Sequence, residues 1–179
     1  NEQGIEKIKR KLIATGNVVK TINNFPLWFL DYFSPKKDNY SKTIIYNFRN
    51  GLKFKTRRET IDSAILHDVA IRKIYFDFFP VKDGDIVLDI GAHIGTFSIS
   101  SAFTNKNGKI YSFETNPENF KLFSENIELN KIKNIIPFNQ CMAGKTEIKK
   151  FYVPNNLIEG SQGGGSFYTG HGKEIEVNA

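Results

Sequence analysis

One cysteine in 179 residues, Cys141, excludes an internal disulfide and a multi-thiolate zinc site. No metal site is expected. A single free thiol fits a reducing compartment, so the expected location is cytoplasmic. Hydrophobic runs are short as well: nothing approaches the roughly 18 apolar residues of a membrane span. The most apolar early stretch, Phe25 to Phe33, is broken by Pro26 and Asp31. No secretory leader is recognisable, and the first residue is Asn rather than Met, which suggests a processed, engineered or partial chain. With 14 glycines and 6 prolines, collagen-like and Pro-rich linker readings fall away. What remains, 40% hydrophobic and 25% charged residues, suffices for a packed core about one domain in size.

The net charge of +6 admits nucleic acid, an anionic membrane surface or an acidic substrate. Basic residues scatter rather than alternate with aromatics along one stretch, so nucleic acid is set aside as a partner. The oligomeric state is left open.

Along the chain, Ile8, Leu12, Ile13 and Val19 among lysines predict an amphipathic helix over Glu6 to Thr21. The aromatic cluster Phe25, Trp28, Phe29, Tyr32 and Phe33 reads as a packing anchor, followed by a turn-like stretch from Ser34 to Ser41. Strands at Thr43 to Phe48 and Leu52 to Thr56, joined at Asn50-Gly51, predict a hairpin with Leu52, Phe54 and Thr56 on one face. The opposite row, Lys53, Lys55 and Arg57, fits a guarded edge strand or an attractor of anions. Ile61, Ile65 and Val69 predict a helix over Glu59 to Tyr75.

Beyond it the pattern becomes strand, helix, strand, helix, strand: Ile86 to Ile90, Thr96 to Phe103, Ile110 to Phe113, a helix capped by Asn116-Pro117 and running to about Asn130, and Ile135 to Phe138. This is half of a doubly wound α/β sheet. Glu147 to Val153 and Glu174 to Val177 predict a hairpin, because no crossover helix fits between them. The expected division is an N-terminal helical and hairpin extension over 1–80 and a partial nucleotide-type domain over 81–179.

Chemistry concentrates at Val87-Leu88-Asp89-Ile90-Gly91-Ala92-His93-Ile94-Gly95. A buried strand ends in a carboxylate and turns through two glycines into a helix, which presents backbone N–H groups and a negative charge at the carboxyl edge of the sheet. The dinucleotide fingerprint needs a glycine where His93 stands, and Asp89 beside a diphosphate is electrostatically unfavourable. Beside the sulfonium and amino group of S-adenosylmethionine the same carboxylate is favourable. Glu114, at the end of the next strand, is placed to accept both ribose hydroxyl protons.

These residues, Asp83 to Ile99 with Phe113-Glu114-Thr115-Asn116-Pro117, resemble the FkbM-type family of S-adenosylmethionine-dependent methyltransferases. Gly51 to Arg57, Asp62 and Tyr75 resemble that family's lead-in. The resemblance implies a Rossmann-like class I methyltransferase sheet, incomplete at the C-terminus because the family's Lys-x-Asp-x-Glu-Gly strand is absent. It further implies that Asp89, Gly91, Ala92, His93 and Gly95 form the cofactor loop, that Glu114 is the ribose acid, that Thr115 and Asn116 pass the adenosine, and that Asn139 to Gly144, with Cys141, is the adenine-side turn. Asp68 stands where the family commonly has Glu, and Ser161 to Ser166 near its acceptor region. The implied reaction is O-methylation of a small-molecule or carbohydrate hydroxyl, such as a sugar or secondary metabolite. No catalytic residue is named. A nicotinamide-dependent oxidoreductase and a truncated nucleoside-binding module that transfers nothing stay open beside it.

Overall fold

The computed structural model describes residues 15–33, 42–58, 60–153 and 173–179. Residues 15–21 are helical, the visible part of the first expected helix. The rest of that expectation, the turn from Ser34 to Ser41 and the glycine-rich Ser161 to Ser166 lie outside the described residues. Helix α1 (Phe25–Phe33) anchors as its aromatics predict. Trp28 lies 5.3 Å from the ring of Tyr46 and 5.7 Å from that of His67, and packs with Phe25 on the main core.

Strands β1 (Thr43–Asn47) and β2 (Lys53–Arg57) form the antiparallel hairpin, with Tyr46 opposite Phe54. Gly51 turns it at φ 96°, a left-handed value open to a residue without Cβ. Leu52, Phe54 and Thr56 are buried as the alternation requires. The helix expected over Glu59 to Tyr75 is shorter. Helix α2 (Asp62–Leu66) passes into a π-helical turn at His67–Ile71, whose closing bond runs from Arg72 N–H to His67 C=O (2.8 Å). Lys73, at φ 58°, then ends it.

The α/β unit follows in the expected order: β3 (Ile86–Ile90), α3 (Thr96–Thr104), β4 (Lys109–Phe113), α4 (Pro117–Leu129) and β5 (Ile135–Phe138). The three strands are parallel in the order β3-β4-β5, which makes this an α/β fold with a parallel sheet. Asn116 caps α4 by accepting the Glu118 N–H (3.0 Å), with Pro117 in the first turn. Strands β6 (Ile148–Val153) and β7 (Lys173–Asn178) pair antiparallel, as predicted.

One core joins the hairpin to the α/β unit. Ile22, Tyr46, Phe54, Leu66, Ile99, Ile110 and Phe123 are fully buried in a single cluster. Cys141, Phe151 and Val177 form a second, small one under the β6–β7 hairpin. Among the described residues no helix is long and apolar enough to cross a membrane.

Candidate functional site

The loop between β3 and α3 has three left-handed residues in five: Gly91 (φ 83°), His93 (φ 55°) and Gly95 (φ 83°). Its first two amides, Gly91 N–H and Ala92 N–H, both donate to Phe113 C=O (2.8 and 3.0 Å), which clamps the bend to the end of β4. The two glycines answer different demands. A Cβ on Gly91 would meet nothing within 4 Å, so the room there is open, as a close ligand requires. A Cβ on Gly95 would lie 2.0 Å from Phe123 Cδ2. The space at Gly95 is thus taken by the side chain of a helix rather than held free for a ligand.

Asp89 is half-buried at the end of β3, and Ser98 of α3 donates its hydroxyl to the carboxylate. Ser98 also lies 2.7 Å from the Ser112 hydroxyl. Burial raises the Asp89 carboxyl above its ordinary range, against the pull of Ser98. Glu114 is buried and tightly held. Its Oε1 accepts Asn116 N–H (2.8 Å) and the Asn119 amide (3.4 Å), and its Oε2 accepts His93 N–H (2.7 Å). Burial raises this carboxyl too, opposed by those donors. Three of about four acceptor positions are therefore used. The one position left is on Oε2, so the carboxylate has room for a single further donor rather than two.

His93 is buried, and its imidazole falls to about 4 because burial disfavours the cation more than Asp62 favours it. At neutral pH the ring is uncharged. Asn139 donates to the carbonyls of Glu114 (2.8 Å) and Thr115 (3.3 Å), tying the turn before Cys141 to the end of β4. Cys141 itself is buried under the β6–β7 hairpin, its N–H donating to Asn178 C=O (2.9 Å).

A cleft of about 890 Å³ opens beside β3. It is lined by Asp89, Gly91, Ala92 and His93, by Ile65, Asp68 and Val69 from the segment ahead, and by Tyr75, Phe79, Thr96 and Phe97. Gly95, Glu114, Thr115, Asn116 and Cys141 are not among its lining residues. Asp68 reaches the cleft while pairing with Arg72 (3.0 Å). Sequence reasoning gave no role to Ser98, Asn119 or Asn126. Their polarity on otherwise inward-facing helix positions was the available signal.

Residues 68–156 match the TRM5/TYW2 methyltransferase domain. That stretch contains the cofactor-type loop and Glu114 together. A tRNA(Phe) (4-demethylwyosine(37)-C(7)) aminocarboxypropyltransferase of Methanocaldococcus jannaschii is 33% identical over 82 residues, 46% of this chain and 32% of that protein. The tRNA (guanine(37)-N(1))-methyltransferase Trm5b of Pyrococcus abyssi is 32% identical over 91 residues, 44% of this chain and 27% of that one. Among solved structures, M. jannaschii TYW2 in complex with AdoMet is similar at 29% identity and a TM-score of 0.45, covering 57% of this chain and 45% of that one. The chain spans about a third, or less, of the length of these two curated relatives.

The domain matched over residues 68–156 is a methyltransferase domain, the class of activity that the loop chemistry predicts. Two expectations are corrected. The FkbM-type resemblance gives way to the TRM5/TYW2 match, because a loop shaped by a cofactor cannot separate families that share that cofactor. The expectation of a small-molecule or carbohydrate acceptor, with nucleic acid set aside, is overturned by relatives named for tRNA. The scatter of lysines along the chain misled here, since a basic surface is assembled by folding and not by sequence adjacency.

Proposed function

We propose that this chain carries an S-adenosylmethionine-dependent methyltransferase module whose acceptor is a base of tRNA. The observation that supports it most is the coincidence of the TRM5/TYW2 match with the Asp89–Gly95 loop and Glu114. The cofactor supplies an activated methyl group on a sulfonium. Gly91 leaves backbone room for it, and Asp89 supplies the negative charge that suits its cationic end. Glu114 receives one ribose hydroxyl, with Thr115, Asn116 and the turn at Cys141 along the adenosine. The chain's contribution to rate is alignment, worth on the order of 7–11 kcal/mol in well-oriented systems.

The test is transfer of labelled methyl from S-adenosylmethionine to unmodified tRNA, with the modified nucleoside identified by mass. Methylated tRNA is the expected product. Cofactor binding without any modified nucleoside in tRNA overturns the acceptor, and absence of binding overturns the cofactor. A second reading, transfer of the aminocarboxypropyl group, is favoured by the name of the M. jannaschii relative and is read in the same spectrum.

A further inference from the structure

The partners of Glu114, followed outward, lead to residues that the proposed function does not use. Asn119, whose amide reaches Oε1 of Glu114, accepts Arg57 Nη2 on its own Oδ1 (2.7 Å). Arg57, at the end of β2, grips Asp62 three times: by its backbone N–H (2.8 Å), by Nε (2.9 Å) and by Nη2 (2.9 Å). Asp62 Oδ1 then stands 3.5 Å from Nε2 of His93, too far for a hydrogen bond but close for a charge beside a ring dipole. The His93 N–H returns to Glu114 and closes the circuit. Five residues from β2, α2, the β3–α3 loop, the position just after β4, and α4 are thereby linked.

Asp62 is 0% exposed and Asn119 1%. A carboxylate so buried is tolerable only when paired, and Arg57 pairs it bidentately. The pair alone accounts for the attachment of the hairpin to α2. It does not account for the two further contacts, one from each partner, that both lead to Glu114. His93 also requires support, because a side chain with Cβ at φ 55° is strained.

We propose that Arg57 and Asp62 are positioning residues of the cofactor site: through Asn119 and His93 they hold Glu114 so that Oε2 keeps its open acceptor position toward the ribose. This rests on the reading of Glu114 given above. The test is a double-mutant cycle on S-adenosylmethionine affinity, measured by calorimetry on the whole chain at temperatures where each variant is folded by its thermal melt. Glu114→Gln is expected to weaken binding about tenfold or more, and Asp62→Asn about three- to tenfold. In the Glu114→Gln background Asp62→Asn should cost no further affinity, because the group it positions is already spent. Full additivity overturns the positioning role and leaves the site standing. Unchanged affinity in Glu114→Gln removes the site reading itself. Should Asp62→Asn fail to fold, Arg57→Lys runs the same cycle, since an ammonium cannot hold Asp62 and Asn119 in one fork.

Discussion

In the β1–β2 hairpin both outer edges are occupied by side chains. Asn130 accepts Lys53 N–H (2.8 Å) and donates to Lys53 C=O, Asn126 does the same for Lys55 (2.7 and 3.1 Å), and Asp62 takes Arg57 N–H (2.8 Å). On the far side Asn24 accepts Asn47 N–H and donates to Ile45 C=O, each at 2.8 Å. In the parallel sheet, by contrast, β3 pairs only with β4 among the described residues, and Ile86, Leu88 and Ile90 stand 79%, 56% and 60% exposed. Asparagine carries one acceptor and one donor pair at a spacing that mimics a peptide, so asparagines four apart on α4 substitute for a neighbouring strand. The closed region is a finished structural element. The open side is where the cleft lies, along β3 and under Tyr75 and Phe79.

The largest loss is expected at Gly95, where the two regions meet through α4. Gly95→Ala is expected to cost about 3 kcal/mol or more in chemical denaturation, combining the Phe123 collision with the left-handed backbone. A loss below about 1 kcal/mol would mean that α4 is not seated as described. Next comes Asn126→Ala, at about 2–3 kcal/mol, because Asn126 is fully buried and also donates to Ile94 C=O (3.0 Å) in the loop. Asn130→Ala, whose bonds to Lys53 are exposed, should cost about 1 kcal/mol or less. Equal losses at the two positions would show that edge closure, not burial, sets the energy.

The fourth effect is acid dependence. The His93 pKa is lowered from 6.5 to about 4 in the folded chain, so the unfolded chain binds the extra proton first. Stability from this ring is complete above about pH 6.5 and is lost as pH falls toward about 4. Asp62 and Arg57 are the charged groups that act on it, and Asp89 and Glu114, both raised by burial, act in the opposite sense. Comparing native protein with His93→Asn isolates the ring, since Asn tolerates the left-handed backbone. The variant's denaturation midpoint should fall less steeply across that window. Parallel slopes would show that folding leaves the proton affinity of the ring unchanged. Smallest of all is Leu88→Thr on the open side, expected within about 0.5 kcal/mol. A loss above about 1 kcal/mol would mean that this face is covered.

Much of the fold was legible because its signals are local. Asn50-Gly51 marked a hairpin, Asn116-Pro117 a helix start, and the apolar run ending in Asp89 a parallel strand, although its Ile86, Leu88 and Ile90 stand exposed where the apolar run predicted burial. The helix after Glu59 was overextended, because side-chain period does not register a π-helical turn or the left-handed Lys73. Within the candidate site the loop and Glu114 were singled out by residue type. The family and acceptor were not, since the loop answers the cofactor and carries no record of what receives the methyl group.

By itself the sequence determined the alternation of strands and helices, the left-handed bends at glycine and the placing of two carboxylates at strand ends, all of which depend on neighbours a few positions apart. Only the tertiary structure decided that Phe123 fills the space at Gly95, that Asn126 and Asn130 close the hairpin across 71 and 77 positions, and that Arg57 and Asp62 lie beneath the loop. Such contacts join side chains whose partners are set by packing, and packing is a property of the whole core rather than of any stretch of chain.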